Sequence, residues 1–159
     1  KREPITFLDF DWRKFGTFKE DIFENILSHD LSINLELFGI PRQAKLISKS
    51  SRVTNTDLVS VLLDYNKNRK SNIHINRVSN CKKKIVTIFT KKNLFIWDDD
   101  KLFKLDKKTN LFNLYYQSKK TPLFLECKTF VSEISGKKPK IDSAILARDI
   151  TAIISKITK

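Results

Sequence analysis

The apolar positions of this chain have two textures, and the change comes near residues 66–72. In the first, Thr17 and Glu20 stand three apart ahead of Phe18, Ile22, Phe23, Ile26 and Leu27. That is a capping-box spacing followed by one apolar helical face, so a helix is predicted to open at Thr17. Leu31, Ile33, Leu35 and Leu37 then alternate with polar residues, which predicts a half-buried strand ended by Gly39 and Pro41. Leu58, Val61, Leu62 and Tyr65, with Thr54 or Asn55 as cap, predict a second helix over 55–65.

Beyond that point the apolar runs are short. Ile73 and Ile75, then 85–89, 94–97, 102–105, 111–116 and 123–125, are separated by polar turns, the pattern of an antiparallel meander. Ile141, Ile145, Leu146, Ile150, Ile153, Ile154 and Ile157 predict a last helix with one broad apolar face. The expected fold class is therefore α+β: a mostly antiparallel β-meander with helices packed on it, closed by a C-terminal helix. The 159 residues suit a single domain over 1–159, and the change of texture allows two lobes, 1–66 and 67–159. The chain begins with Lys1 and not Met, which reads as a fragment of a longer protein.

Charge sharpens this picture. The net charge is +13, and residues 67–140 hold 19 Lys or Arg against 6 Asp or Glu, so that segment alone accounts for the excess. Arg69, Lys70, Lys82, Lys83, Lys84, Lys91, Lys92, Lys119 and Lys120 fall in its loops and strand ends. Converging on one face, they would attract phosphates and release counterions. Lysine outnumbers arginine there, which favours backbone contacts over reading of bases. The bland alternative is that scattered lysine keeps a sheet edge soluble.

Cys81 and Cys127 stand far apart and outside any C-x-x-C pair, which fits a reducing intracellular compartment, nuclear or cytoplasmic. His29 and His74 have no partner at metal-ligand spacing. Three glycines, Gly16, Gly39 and Gly136, form neither a G-x-G-x-x-G turn nor a P-loop, so no nucleotide cofactor is expected. No stretch reaches the length of a membrane span.

One local pattern suggests chemistry. Leu123, Phe124 and Leu125 lead into Glu126, Cys127 and Lys128, and an E-x-K on a strand points both charged groups to one side. This resembles the second half of the motif of the PD-(D/E)xK, restriction-endonuclease-like nucleases, over residues 106–157. The resemblance implies that an upstream acid, Asp106, and Glu126 hold Mg2+ or Mn2+, while Lys128 supports the attacking water. Asn113 stands where the family's spacing places that acid, and the strand expected after the closing helix is missing.

The expectation drawn from these residues is a basic module that binds DNA or RNA through phosphate contacts at Arg69, Lys70, Lys82–Lys84, Lys91, Lys92, Lys119 and Lys120, without a cofactor. The alternatives are a divalent-metal nuclease, active or degenerate, using Asp106, Glu126 and Lys128, and a protein-interaction module of a larger, chromatin-type assembly. No membrane partner is expected.

Overall fold

The computed structural model describes residues 3–135 and 142–158. Eight strands form one sheet in the order β2-β3-β4-β1-β5-β6-β7-β8. They are β1 (Ile5–Arg13), β2 (Gln43–Ser50), β3 (Leu58–Asp64), β4 (Lys70–Asn76), β5 (Lys83–Thr90), β6 (Leu94–Asp98), β7 (Lys101–Asp106) and β8 (Leu111–Gln117). Every neighbouring pair is antiparallel except β1 with β4. A π-helical turn (Ile22–Leu27) runs into α1 (Ser28–Phe38), and α2 (Pro122–Ile134) and α3 (Ser143–Ile157) follow the sheet.

Alternation along the strands decides which face is buried. Leu8 and Phe10 of β1, Val59, Val61 and Leu63 of β3, Ile73 and Ile75 of β4, and Val86 of β5 all point into one layer. Register lines them up: Phe10 pairs with Ile73 on one side and Val86 on the other. Ile22, Phe23, Ile26, Leu27, Leu31 and Phe38 cover that layer from the helical side, joined by Ile153 and Ile157 of α3. Each such side chain withdrawn from water contributes about 1.5–3 kcal/mol. The helical cover sits over the β2, β3, β4 and β1 half; β6 and β7 make their close contacts with neighbouring strands, and β8 is exposed along its whole length.

The turns explain the tight meander. Lys67 and Asn68 both take positive φ, 63° and 56°, between β3 and β4, as a hairpin whose twist matches its strands requires. Asp106 closes the β7–β8 turn, its side chain accepting from the Lys108 N–H at 2.8 Å.

The α+β class, the meander from β5 to β8 and the closing helix agree with the sequence pattern, whereas β4 is separated from that meander by β1. Four local expectations do not. The helix near Thr17 is capped instead by Asp21, whose carboxylate accepts from the N–H groups of Phe23 and Glu24 at 2.7 and 3.0 Å, while Thr17 takes a φ of 60°. Residues 31–37 are helical, and 58–64 form a strand. Residues 123–125 lie in α2, so the strand that the E-x-K reading requires is absent and positions 126 and 128 are two apart on a helix. Such positions diverge by about 200°, where a strand would align them.

Candidate functional site

The first half of α1 is one place where polar groups are held inside the core. From the end of the π-helical turn onward the buried positions fall at 26, 27, 30, 31, 34 and 38, a single helical stripe. Two of these are polar, Asp30 (2% exposed) and Asn34 (0%). Asn34 is satisfied: its amide donates to the Asp30 carbonyl at 2.8 Å, and the Tyr65 hydroxyl donates to its Oδ1 at 3.4 Å. Asp30 is not, because its Oδ2 is buried without a hydrogen-bond partner. Burial pushes its carboxyl up to about 7, and the positive charge of Lys84 opposes that rise. A carboxyl so placed exchanges a proton near neutrality, as groups at functional sites commonly do.

His29 is the adjacent residue and faces solvent. It lines a cleft of about 530 Å³ with Glu20, Asp21, Glu24, Asn25 and Ser28. Glu24 and Ser28 also border a smaller, mostly apolar hollow of about 320 Å³ against Ala147, Ile150 and Ile154 of α3. The π-helical turn belongs to this geometry: the Ser28 N–H bonds to the Phe23 carbonyl five residues back, a feature that recurs at functional sites.

A buried ion pair holds the loop that leads into this region. Arg77 (3% exposed), just beyond β4, donates to the carbonyls of Thr17 at 3.0 Å, Glu20 at 2.7 Å and Thr56 at 2.5 Å, to the Thr54 hydroxyl and to Asp57. Burial works against the Asp57 carboxylate. The Thr54 hydroxyl and the N–H groups of Thr54, Val53 and Arg52 outweigh it and hold that carboxyl well below the usual range. Because Arg77 grips the Glu20 carbonyl, it sets one wall of the cleft beside His29.

The residues singled out by sequence do not gather. Register puts Lys82, Lys83 and Lys84 at the end of the sheet shared with Arg13 and Lys101, together with Lys119 and Lys120 beyond β8. Arg69, Lys70, Lys91 and Lys92 lie at the opposite end, near Ile5 and Leu94. Strands of this length separate the two groups by roughly 20 Å. Lys83 is paired with Asp11 at 2.8 Å, and Arg69 lies over the Phe38 ring at 5.0 Å. Asp106 serves the β7–β8 turn, and Glu126 and Lys128 lie in α2. Among the described residues no three His, Cys, Asp or Glu side chains cluster as metal ligands. Asp30 escaped the sequence reading because residues 31–37 read there as a strand. The available signal was polar Asp30 and Asn34 inside an apolar stripe of helical spacing.

No protein-family model matches the chain, and no curated protein matches it. Solved structures do. UDP-N-acetylglucosamine 3-dehydrogenase GnnA from Acidithiobacillus ferrooxidans superposes with a TM-score of 0.83 at 18% identity, covering 98% of this chain and 53% of that one. An NAD-binding oxidoreductase from Klebsiella pneumoniae gives 0.77 at 13%, covering 97% and 56%. Biliverdin reductase from Synechocystis, solved with biliverdin and NADP+, gives 0.75 at 10%, covering 99% and 56%. The chain thus spans about half the length of the structures it matches.

These findings overturn four expectations. The fold is that of NAD(P)-dependent oxidoreductases and not of restriction-endonuclease-like enzymes, so the PD-(D/E)xK resemblance is withdrawn, and with it the divalent-metal nuclease. Nucleic-acid binding is corrected on the same ground. The expectation of no nucleotide cofactor is corrected too, since such proteins carry NAD or NADP+. Among the described residues no dinucleotide cradle is formed, however. Its one parallel strand pair among the described residues is β1 with β4, and β1 runs into Lys14, Phe15, Gly16 and Thr17 without a glycine-rich turn. No helix among the described residues is long and apolar enough to cross a membrane.

Proposed function

We propose that this chain is the sheet-bearing part of a nicotinamide-dependent oxidoreductase, with the nucleotide carried by a separate nucleotide-binding part. The head of α1 holds a proton-exchanging carboxyl in the core directly behind the cleft that His29 lines. The observation that carries the reading is Asp30: a core-facing carboxyl with one unpartnered oxygen, held near neutrality, beside the solvent-facing His29. Oxidising an alcohol or reducing a carbonyl moves a proton at oxygen, and a group poised near the working pH does this best. The fold likeness, which takes in nearly all of this chain, supports the same class.

The test is turnover by the longest natural polypeptide that contains this chain. Absorbance at 340 nm is followed with NAD(H) and NADP(H) over a panel of alcohols, sugars and ketones, for wild type and for Asp30→Asn. Turnover with one of the nucleotides that drops about 10²-fold or more in Asp30→Asn supports the reading. Undiminished turnover in that variant removes Asp30 from it. Absence of nucleotide-dependent turnover and of nucleotide binding across the panel overturns the class.

A further inference from the structure

Lys104 is half-buried near the middle of β7, and its ammonium lies 5.8 Å from the ring centroids of both Phe95 and Tyr115. The two rings meet edge to face at 5.5 Å. Among the described residues no carboxylate pairs with Lys104. A cation partly removed from water is costly without a counter-charge, and ring faces repay only part of that cost. The residue opens into a cleft of about 560 Å³ whose wall also carries Lys107, Lys108, Asn113 and Tyr115. Lys107 and Lys108 likewise form no ion pair among the described residues. The carboxylate in the lining, Asp106, already has one oxygen committed to the Lys108 N–H. Three lysines therefore line one open cleft with an aromatic wall, Tyr115 being 62% exposed.

We infer that this cleft binds a small phosphate monoester carrying a flat or apolar body. The phosphate sits among Lys104, Lys107 and Lys108, Asn113 offers an amide donor, and the body rests on the Tyr115 ring. Charge-assisted bonds from lysine suit a phosphate, and the ring gives a π-face for a planar group. The site lies on the β7–β8 hairpin, apart from the head of α1, and does not depend on the oxidoreductase reading.

The experiment is an amide NMR titration of the whole chain with phenyl phosphate, inorganic phosphate and phenol as separate probes. Phenyl phosphate is expected to shift the amides of Lys104, Lys108, Asn113 and Tyr115 and to bind more tightly than inorganic phosphate, with phenol leaving them unmoved. Lys104→Gln should weaken phenyl phosphate about tenfold. The pair Lys107→Gln with Lys108→Gln, on an exposed turn that tolerates change, should weaken it comparably. Lys82→Gln with Lys101→Gln removes the same charge at the other end of the sheet and should leave affinity unchanged. Equal weakening in that control pair, or shifts spread over lysines generally, would show attraction by net charge alone and overturn the site. Equal binding of inorganic phosphate would overturn the assigned ligand class.

Discussion

Arg77 Nε lies 3.2 Å from Asp57 Oδ1, and both side chains are shut away from water, at 4% and 0% exposure. Breaking such a pair from one side leaves a buried charge uncompensated. Asp57→Ala strands the guanidinium and three backbone N–H groups together, while Arg77→Met frees the Thr17, Glu20 and Thr56 carbonyls but leaves Asp57 its Thr54, Val53 and Arg52 donors. Each change should cost about 3–5 kcal/mol, with Asp57→Ala the worse. Urea unfolding of the two variants measures both the size and the order.

The two buried carboxyls should make stability depend on pH with opposite sign. Asp57 titrates below its ordinary 3.8 when folded, so the stability it contributes is present above about pH 4 and is lost as pH falls further. Asp30 titrates at about 7 when folded, so between about pH 4 and 7 the native state holds a proton that the unfolded chain has released. Over that window stability falls as pH rises, by on the order of 2–4 kcal/mol in all, and stays flat above it. Asp30→Asn should abolish the fall and raise the melting temperature at pH 8 while changing little at pH 4. Thermal melts of both proteins across pH 4–8 check this; parallel curves would show that Asp30 is not the group responsible.

Core and open sheet should respond differently to truncation. Leu8 is fully buried on the central strand, and Leu8→Ala should cost about 2–5 kcal/mol. Leu114, on β8, is 55% exposed, and Leu114→Ala should stay within about 0.5 kcal/mol of wild type. Chemical denaturation of the pair reads the difference directly.

Gly39 ends α1 with φ 78° and ψ −160°, a conformation in which a side chain is strained, although an added methyl would meet nothing within 4 Å. Gly39→Ala should therefore cost about 1–3 kcal/mol through backbone strain alone. A loss well under 1 kcal/mol in an unfolding titration would mean the turn relaxes.

Where the chain was legible, one period dominated. Residues 85–116 alternate short apolar runs with turn residues, and every strand expected there is present. Residues 31–37 defeat the same method because Leu31, Ile33, Leu35 and Leu37 alternate while Leu27, Leu31, Asn34 and Phe38 also keep helical spacing. The helix prevails because the π-helical turn leads straight into it and its stripe meets the sheet, so Asn34, outward on a strand, is fully buried. Residues 58–64 fail in reverse: Leu58, Val61 and Leu62 suit a helix, but β-branched Val59 and Val61 with Leu63 form the buried face of a strand. In α2, Pro122 at the first helical position was the signal that outweighed three apolar residues in a row. Asp30 was hidden for a different reason, since no local pattern marks a carboxyl that only the assembled core deprives of water.

The position of β1 has a consequence for how the chain assembles. Its residues pair with β4 and β5, so Phe7 meets Lys70 and Phe89, and the strand made first must wait for partners made much later. Contacts so distant along the chain are closed at an entropic cost and favour slow folding. The same strand is the sole link between the β2-β3-β4 and β5-β6-β7-β8 portions of the sheet. Removing residues 3–13 would therefore leave two small sheets, each with a raw edge, and not a trimmed version of one.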